Sequence, residues 1–329
     1  MFQPETYIVT LSLMVISMLC WGSWANTVKL CPGYKFQLFY WDYVIGLIAG
    51  ALLWGVTLGS LGATGRSFLP DLMNAAPSHI LMALIGGVIF NVANLLLVAA
   101  IDIAGLAVAF PVGIGLALVV GAISSYMIQP QGNPVVLFGG ITLVVAAIVL
   151  DAIAYRLRET EHRKMSRRGL IISLVSGLLM GSFYPFVSKA MAGDNAPGPY
   201  ATIVFFVCGV VLCSIPVNYL FMRRPLDGSA PVSMSDYWRA SRAWHIWGIL
   251  GGAIWCTGAV LNFVASRADM VGPAVAYSIG QGATMISAGW GVFVWHEFKS
   301  APQRAKTFLV WMFVFFVSGL TAVALAPVF

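Results

Sequence analysis

An all-α polytopic membrane protein with ten transmembrane helices, arranged as two inverted five-helix repeats, is the fold that this chain of 329 residues predicts. Three observations carry that expectation. Sixty per cent of the residues are apolar and only 9% are charged, whereas a soluble domain has about a quarter of its residues charged; the surface must face hydrocarbon. Ten apolar runs approach the roughly 20 residues that a helix needs to cross a bilayer. A basic stretch, YRLRETEHRKMSRRGL at 155–170, divides the runs five and five. An odd number of spans per half makes the second half cross in the opposite sense.

In chain order the runs are 7–28, 36–58, 80–101, 104–127 and 134–154, then 170–190, 199–221, 246–266, 271–295 and 306–326. The first has no basic residue before it and no small-residue cleavage site after it, so it is expected to be a retained helix. Residues 1–155 form the first repeat, 156–169 a basic connector and 170–329 the second repeat. An external N-terminus puts fifteen of the 18 Lys and Arg residues in inner loops and leaves Arg66, Lys189 and Arg267 outside, as the bias of cytoplasmic loops toward basic residues requires. Both termini are then external, the central loop is cytoplasmic and the membrane is a plasma membrane. The formal charge of +6 comes from these loops and does not point to nucleic acid. Internal similarity supports the duplication: IGGVIFNVANLLLVAA at 85–100 faces LGGAIWCTGAVLNFVA at 250–265, and GSWANTVK at 22–29 faces GSFYPFVSK at 181–189.

Polar groups inside a span need partners, so those within the runs are the first candidates for function. Asn91 and Asn94, three residues apart in the third span, either contact a solute or hydrogen-bond neighbouring helices. Tyr277 and Gln281, four apart in the ninth span, offer a hydroxyl and an amide toward one space, and Thr284 extends that supply. Trp21 and Trp24, toward the inner end of the first span, stack on a solute, close a gate or anchor the helix at the interface. Pro111 and Gly113 in the fourth span and Pro273 at the start of the ninth are candidate helix breaks or gates.

Asp42 lies several residues inside the second span. It either pairs with Lys29 or Lys35 to fix a short loop or takes up a proton coupled to solute movement. Asp151 and Glu297 are weaker candidates for that role, and Asp102 and Asp269 are expected to cap turns. The five cysteines contain no CxxC pair, and the chain carries no phosphate loop, metal-ligand pattern or nucleophile elbow. No catalytic residue, metal or cofactor is expected. A membrane scaffold or sensor is the reading outside transport.

The residues resemble the drug/metabolite transporter superfamily, in the branch that holds plant ureide permeases and bacterial glucose/ribose uptake proteins. The resemblance spans nearly the whole chain and is carried by WGSWANTVK at 21–29, FYWDY at 39–43, GGVIFNVANLL at 86–96 and GPAVAYSIGQGATMISAGWGVFVWHEF at 272–298. It implies the drug/metabolite transporter fold and secondary, proton-coupled import of a small polar solute by a monomer or homodimer. The solute is a ureide or nucleobase on one side of the branch and a glucose, ribose or rhamnose-like sugar on the other; metabolite or drug efflux is a third reading. Plant members have a longer cytosolic centre with an ATP-binding-like motif. The short connector here lacks it, so the chain looks like a compact microbial relative in a bacterial inner membrane.

Overall fold

The computed structural model describes residues 1–62, 64–158, 166–268 and 270–329. Among them are nine helices long and apolar enough to cross a membrane. In chain order the elements are α1 (Tyr7–Ser23), α2 (Asn26–Lys29), α3 (Phe36–Val56), α4 (Phe68–Met73), α5 (Pro77–Ala104), α6 (Leu106–Ile128) and α7 (Pro134–Arg158). They continue with α8 (Arg167–Ala190), α9 (Pro199–Arg223), α10 (Met234–Arg239), α11 (Arg242–Ser266), α12 (Gly272–Gly280), α13 (Ala283–Gly289), a π-helical turn (Trp290–Val294) and α14 (Gln303–Leu325). Asp269 lies outside the described residues, as do His162, Arg163 and Lys164 of the basic connector.

Several expectations need correction. The ninth expected span, 271–295, is not one helix: α12 stops at Gly280, α13 begins at Ala283, and a π turn follows. Pro273 does not break a helix but starts one. It occupies the first turn of α12 behind Gly272, whose φ of 73° favours glycine, and at that position a missing N–H removes no intrahelical bond. Pro111 does not break its helix either, because α6 runs through it from Leu106 to Ile128. Asp102 is not in a separate turn but in the last turn of α5, which ends at Ala104 and meets α6 across the single residue Gly105, at φ 81°.

Lipid is as apolar as a leucine side chain, so helices in it associate through close packing, and small residues allow the closest backbone approach. α3 lies on α11 in this way: a Cβ on Gly46 would run into the carbonyl of Ile249, and one on Gly252 into that of Tyr43. α5 and α9 repeat the arrangement, Gly209 against the carbonyl of Leu84 and Gly87 against that of Phe206. Gly22 of α1 meets Ala283 and Ile286 of α13, as Gly181 of α8 meets Ala117 and Val120 of α6. Gly140 of α7 and Gly319 of α14 face each other's carbonyls at 2.7 and 2.8 Å from a built Cβ. Each pair joins a helix before residue 159 to one after residue 165, and the pairs recur with the halves exchanged. Such an exchanged pattern of contacts is inverted-repeat-like.

The up-and-down course of the chain brings Lys29, Lys35, Arg158, Arg167, Arg223 and Arg242, each at or beside a helix end, to one end of the bundle, the basic face. Substituting Gly252→Val or Gly87→Val is expected to lower the thermal unfolding midpoint of the purified protein by several degrees, because neither carbonyl can retreat. Gly139→Ala, where a Cβ meets nothing within 4 Å, should leave the midpoint unchanged.

Candidate solute-binding site

A cavity of about 400 Å³ opens between α1, α5, α6, α8, α11 and the broken segment α12–α13. Its walls are rich in aromatic rings. Trp21 stacks on Trp255 with ring centroids 5.8 Å apart, Phe90 lies 4.4 Å from Trp255, Trp24, Phe36 and Phe183 add further rings, and aliphatic side chains such as Leu97, Ile114 and Met180 fill the rest. The Trp21 indole N–H is committed to the carbonyl of Trp255 at 3.2 Å, which fixes that ring, and Trp24 rests on Tyr43 at 4.8 Å. Four uncharged polar side chains interrupt the walls, Asn94, Gln281, Thr284 and Ser287, and Lys29 lies at the rim. Among the described residues Gln281, Thr284 and Ser287 make no side-chain hydrogen bond within the protein, and Asn94 spends only its amide N–H, on the Tyr40 hydroxyl at 3.4 Å. Gln281 sits at the break between α12 and α13, where the interruption delivers an amide to the cavity. Such a site can sandwich a small flat molecule between rings and hydrogen-bond its edges.

Two candidates from the sequence lie elsewhere. Asn91 is fully buried and accepts from the hydroxyls of Tyr40 at 2.8 Å and Ser214 at 3.0 Å. Tyr277 does not share a space with Gln281. Its ring packs over Gly121 of α6, and its hydroxyl donates to the carbonyl of Ala117 at 3.1 Å. Gly113 is a packing position, its carbonyl 2.6 Å from where a Cβ on Gly177 of α8 would stand. Phe90, Met180, Phe183 and Trp255 were not singled out by the sequence reasoning, since an apolar side chain in an apolar run attracts no notice. One signal was available: the internal match sets Phe90 opposite Trp255, and these are the two rings that meet.

The cavity is open at one end. Val28, Phe36 and Ile101 are shared with a vestibule of about 480 Å³ at the basic face, which also holds Tyr34, Lys35, Asp102 and Asp227. In the other direction α11 is largely buried from Cys256 to Phe263. There the Tyr184 hydroxyl donates to Asn262 at 2.5 Å and the Asn262 amide donates to the Ala276 carbonyl at 2.9 Å, tying α8, α11 and α12 together. At the far face Asp71 accepts from the Gly198 N–H at 2.7 Å and from Arg66 at 3.2 Å, while Arg267 donates to the Pro197 carbonyl at 2.9 Å.

The charged groups at the basic face are paired differently from expectation. Asp42 does not pair with Lys29 or Lys35; its partner is His245, 2.9 Å away, and Tyr34 and Tyr237 donate to it as well. Lys29 instead reaches Glu297, which also holds Arg158 at 2.5 Å. Burial works to raise the Glu297 carboxyl, but hydrogen bonds and charge from Lys29 and Arg158 outweigh it and hold the group below the usual glutamate range. Asp151 is 6% exposed, and one of its oxygens has no partner among the described residues.

A family model described as "Sugar transport protein" matches residues 11–326. Ureide permease 4 of Arabidopsis thaliana is 22% identical, with 97% of each chain covered. Ureide permease 2 of the same plant is 21% identical over 97% of each chain, and ureide permease 1 is 19% identical over 96% of each. A solved crystal structure superposes with a TM-score of 0.64 over 95% of each chain at 17% identity, a likeness of fold.

The Glu297 clasp sets a pH dependence with a definite sign. Its folded value lies below the ordinary one, so the clasp contributes stability at and above the ordinary glutamate pKa and loses it as pH falls through the depressed value. Thermal midpoints of the wild type and Glu297→Gln should therefore differ at neutral pH and converge in acid. Parallel curves down to the lowest pH would show that the clasp contributes nothing.

Proposed function

The chain belongs to the sugar transport protein family, in the ureide-permease branch of the drug/metabolite transporter superfamily, and on that footing we propose that it imports a ureide or nucleobase together with a proton. It is a multi-pass membrane protein and a secondary transporter of small polar solutes, not an enzyme. The observation that carries the finer reading is the balance of the cavity: six aromatic side chains around a few unspent polar groups. A planar heterocycle presents two apolar faces to rings and a short donor and acceptor edge to Asn94, Gln281 and Thr284. The family's description favours a sugar instead. A sugar carries hydroxyls around its whole ring, more than this lining would satisfy.

In this proposal the broken segment 272–294 crosses the bilayer as a tenth span, and 1–155 and 170–329 are inverted repeats joined by 156–169. The exchanged glycine contacts support that arrangement. The basic face is cytoplasmic, both termini are external, and the open vestibule makes this an inward-facing form in a plasma membrane. Trp21, Trp24, Asn94, Gln281 and Thr284 contact the solute, the Gln281–Gly282 break serves as the hinge of the gate, and Asp42 belongs to the proton site.

The test is uptake into proteoliposomes, with and without an inward proton gradient, of labelled allantoin, uracil, xanthine, ribose, glucose and rhamnose. A ureide or nucleobase should accumulate under the gradient. Gln281→Ala should raise its KM roughly tenfold, the factor that corresponds to about 1.4 kcal/mol, at unchanged protein yield. Accumulation of sugars alone would move the protein to the sugar side of the branch. Silence across the panel with folded protein would return efflux and the scaffold reading.

A further inference from the structure

Three side chains from three other elements converge on a single carboxylate near the basic end of α3. Asp42 is 1% exposed. Its Oδ1 accepts from the Tyr237 hydroxyl of α10 at 2.6 Å and its Oδ2 from the Tyr34 hydroxyl of the α2–α3 turn at 2.9 Å. The Nδ1 atom of His245, in the first turn of α11, lies 2.9 and 3.0 Å from the two oxygens. Among the described residues His245 is the only ion-pair partner of this carboxylate. The other titratable groups facing the pair are Tyr34 and Cys31 from the turn and Tyr237 from α10. Burial, together with the charge of Asp42, pushes all three above their ordinary values. The two tyrosine hydrogens are committed to Asp42 and the Cys31 thiol faces the Thr27 carbonyl, which leaves the imidazole as the group with a second ring nitrogen able to accept a proton.

We propose that the transported proton is carried by His245, with Asp42 as its counter-ion and Tyr34 and Tyr237 as positioning residues, and that the charge on this pair governs the opening at the basic face. The inference rests on the proton-coupled reading above. Nδ1–H is donated to the carboxylate, so the incoming proton adds to the lone pair of Nε2 and gives an imidazolium balanced by Asp42. Release to water restores the neutral ring, and no other bond changes.

The link to the solute is geometric. Tyr34, which donates to Asp42, also lines the vestibule into which the cavity opens. α11 carries both His245 and the cavity ring Trp255, and Gly46 and Gly252 seat α11 on the backbone of α3 as one closely packed body. The same cluster ties the 30–35 turn and α10 to that body. Losing or gaining charge there changes how firmly the mouth is held.

The test uses the full chain in proteoliposomes with a pH-sensitive dye trapped inside and the solute that the wild type accumulates. Wild-type uptake should acidify the lumen. His245→Gln and Asp42→Asn should keep solute counterflow at equal pH on both sides, yet lose lumen acidification and gradient-driven accumulation. Tyr34→Phe and Tyr237→Phe should stay coupled with a displaced pH profile of uptake. If His245→Gln still acidifies the lumen in step with uptake, the assignment is wrong. Uptake by the wild type without acidification would instead overturn the proton-coupled reading and this inference with it. Should His245→Gln lose counterflow as well, Tyr237→Phe decides, and an unchanged pH profile overturns the proposal.

Discussion

Backbone must touch backbone for this bundle to exist. The bilayer supplies no hydrophobic force between helices, so their association depends on dispersion contacts that fall away within a fraction of an ångström. Glycine allows the approach, and its placement decides where everything else points. Gly252 seats α11 on α3, and Gly87 seats α5 on α9. Three residues further along, on nearly the same face of each helix, stand Trp255 and Phe90, which those contacts bring to 4.4 Å from one another at the cavity wall. The aromatic site is thus a by-product of how the helices are fastened.

Polar groups occupy the space under a second constraint, that a buried donor or acceptor without a partner is costly. Asn262 is satisfied internally by Tyr184 and Ala276, and the Asn91 oxygen accepts from Tyr40 and Ser214 while its amide nitrogen has no partner among the described residues. Some buried groups elsewhere also lack a partner, among them the Tyr43 hydroxyl and one Asp151 oxygen, and a further set gathers at the cavity. Gln281, Thr284 and Ser287 are left without an internal side-chain partner at the same cavity, where a solute or water can reach them. The far side of the molecule shows the opposite treatment, with Asp71, Arg66 and Arg267 engaged in holding loops together.

The spans were readable because length and composition are all that crossing a bilayer demands. Continuity was less readable. Local rules place a break at Pro111, but α6 passes through it, as helices in a bundle do when neighbours satisfy the freed groups. The true interruption falls at Gln281 and Gly282, where the two glycines that flank Gln281 look no different from the many that other helices here run through. The site was half visible. Trp21, Trp24, Asn94, Gln281 and Thr284 stand out against an apolar run, whereas Phe90 and Phe183 are indistinguishable from packing until the helices are assembled. Asn91 and Asn94 looked alike and separate only because Ser214 of α9 arrives beside one of them. For Asp42 the nearest cations in the sequence were the natural partners, and the actual partner lies 203 positions away.

The cross-pairing of the glycine faces also bears on how the molecule is made. Each fastening described above needs one helix from before residue 159 and one from after residue 165. As the chain leaves the ribosome, the early helices enter lipid with their glycine faces exposed to acyl chains and nothing to close upon. They are kept apart until the later helices follow, and the last seat, Gly140 of α7, is filled only when α14, the final helix, arrives with Gly319. Biogenesis is therefore a waiting process, in which half-built protein spends its time with its most adhesive surfaces uncovered.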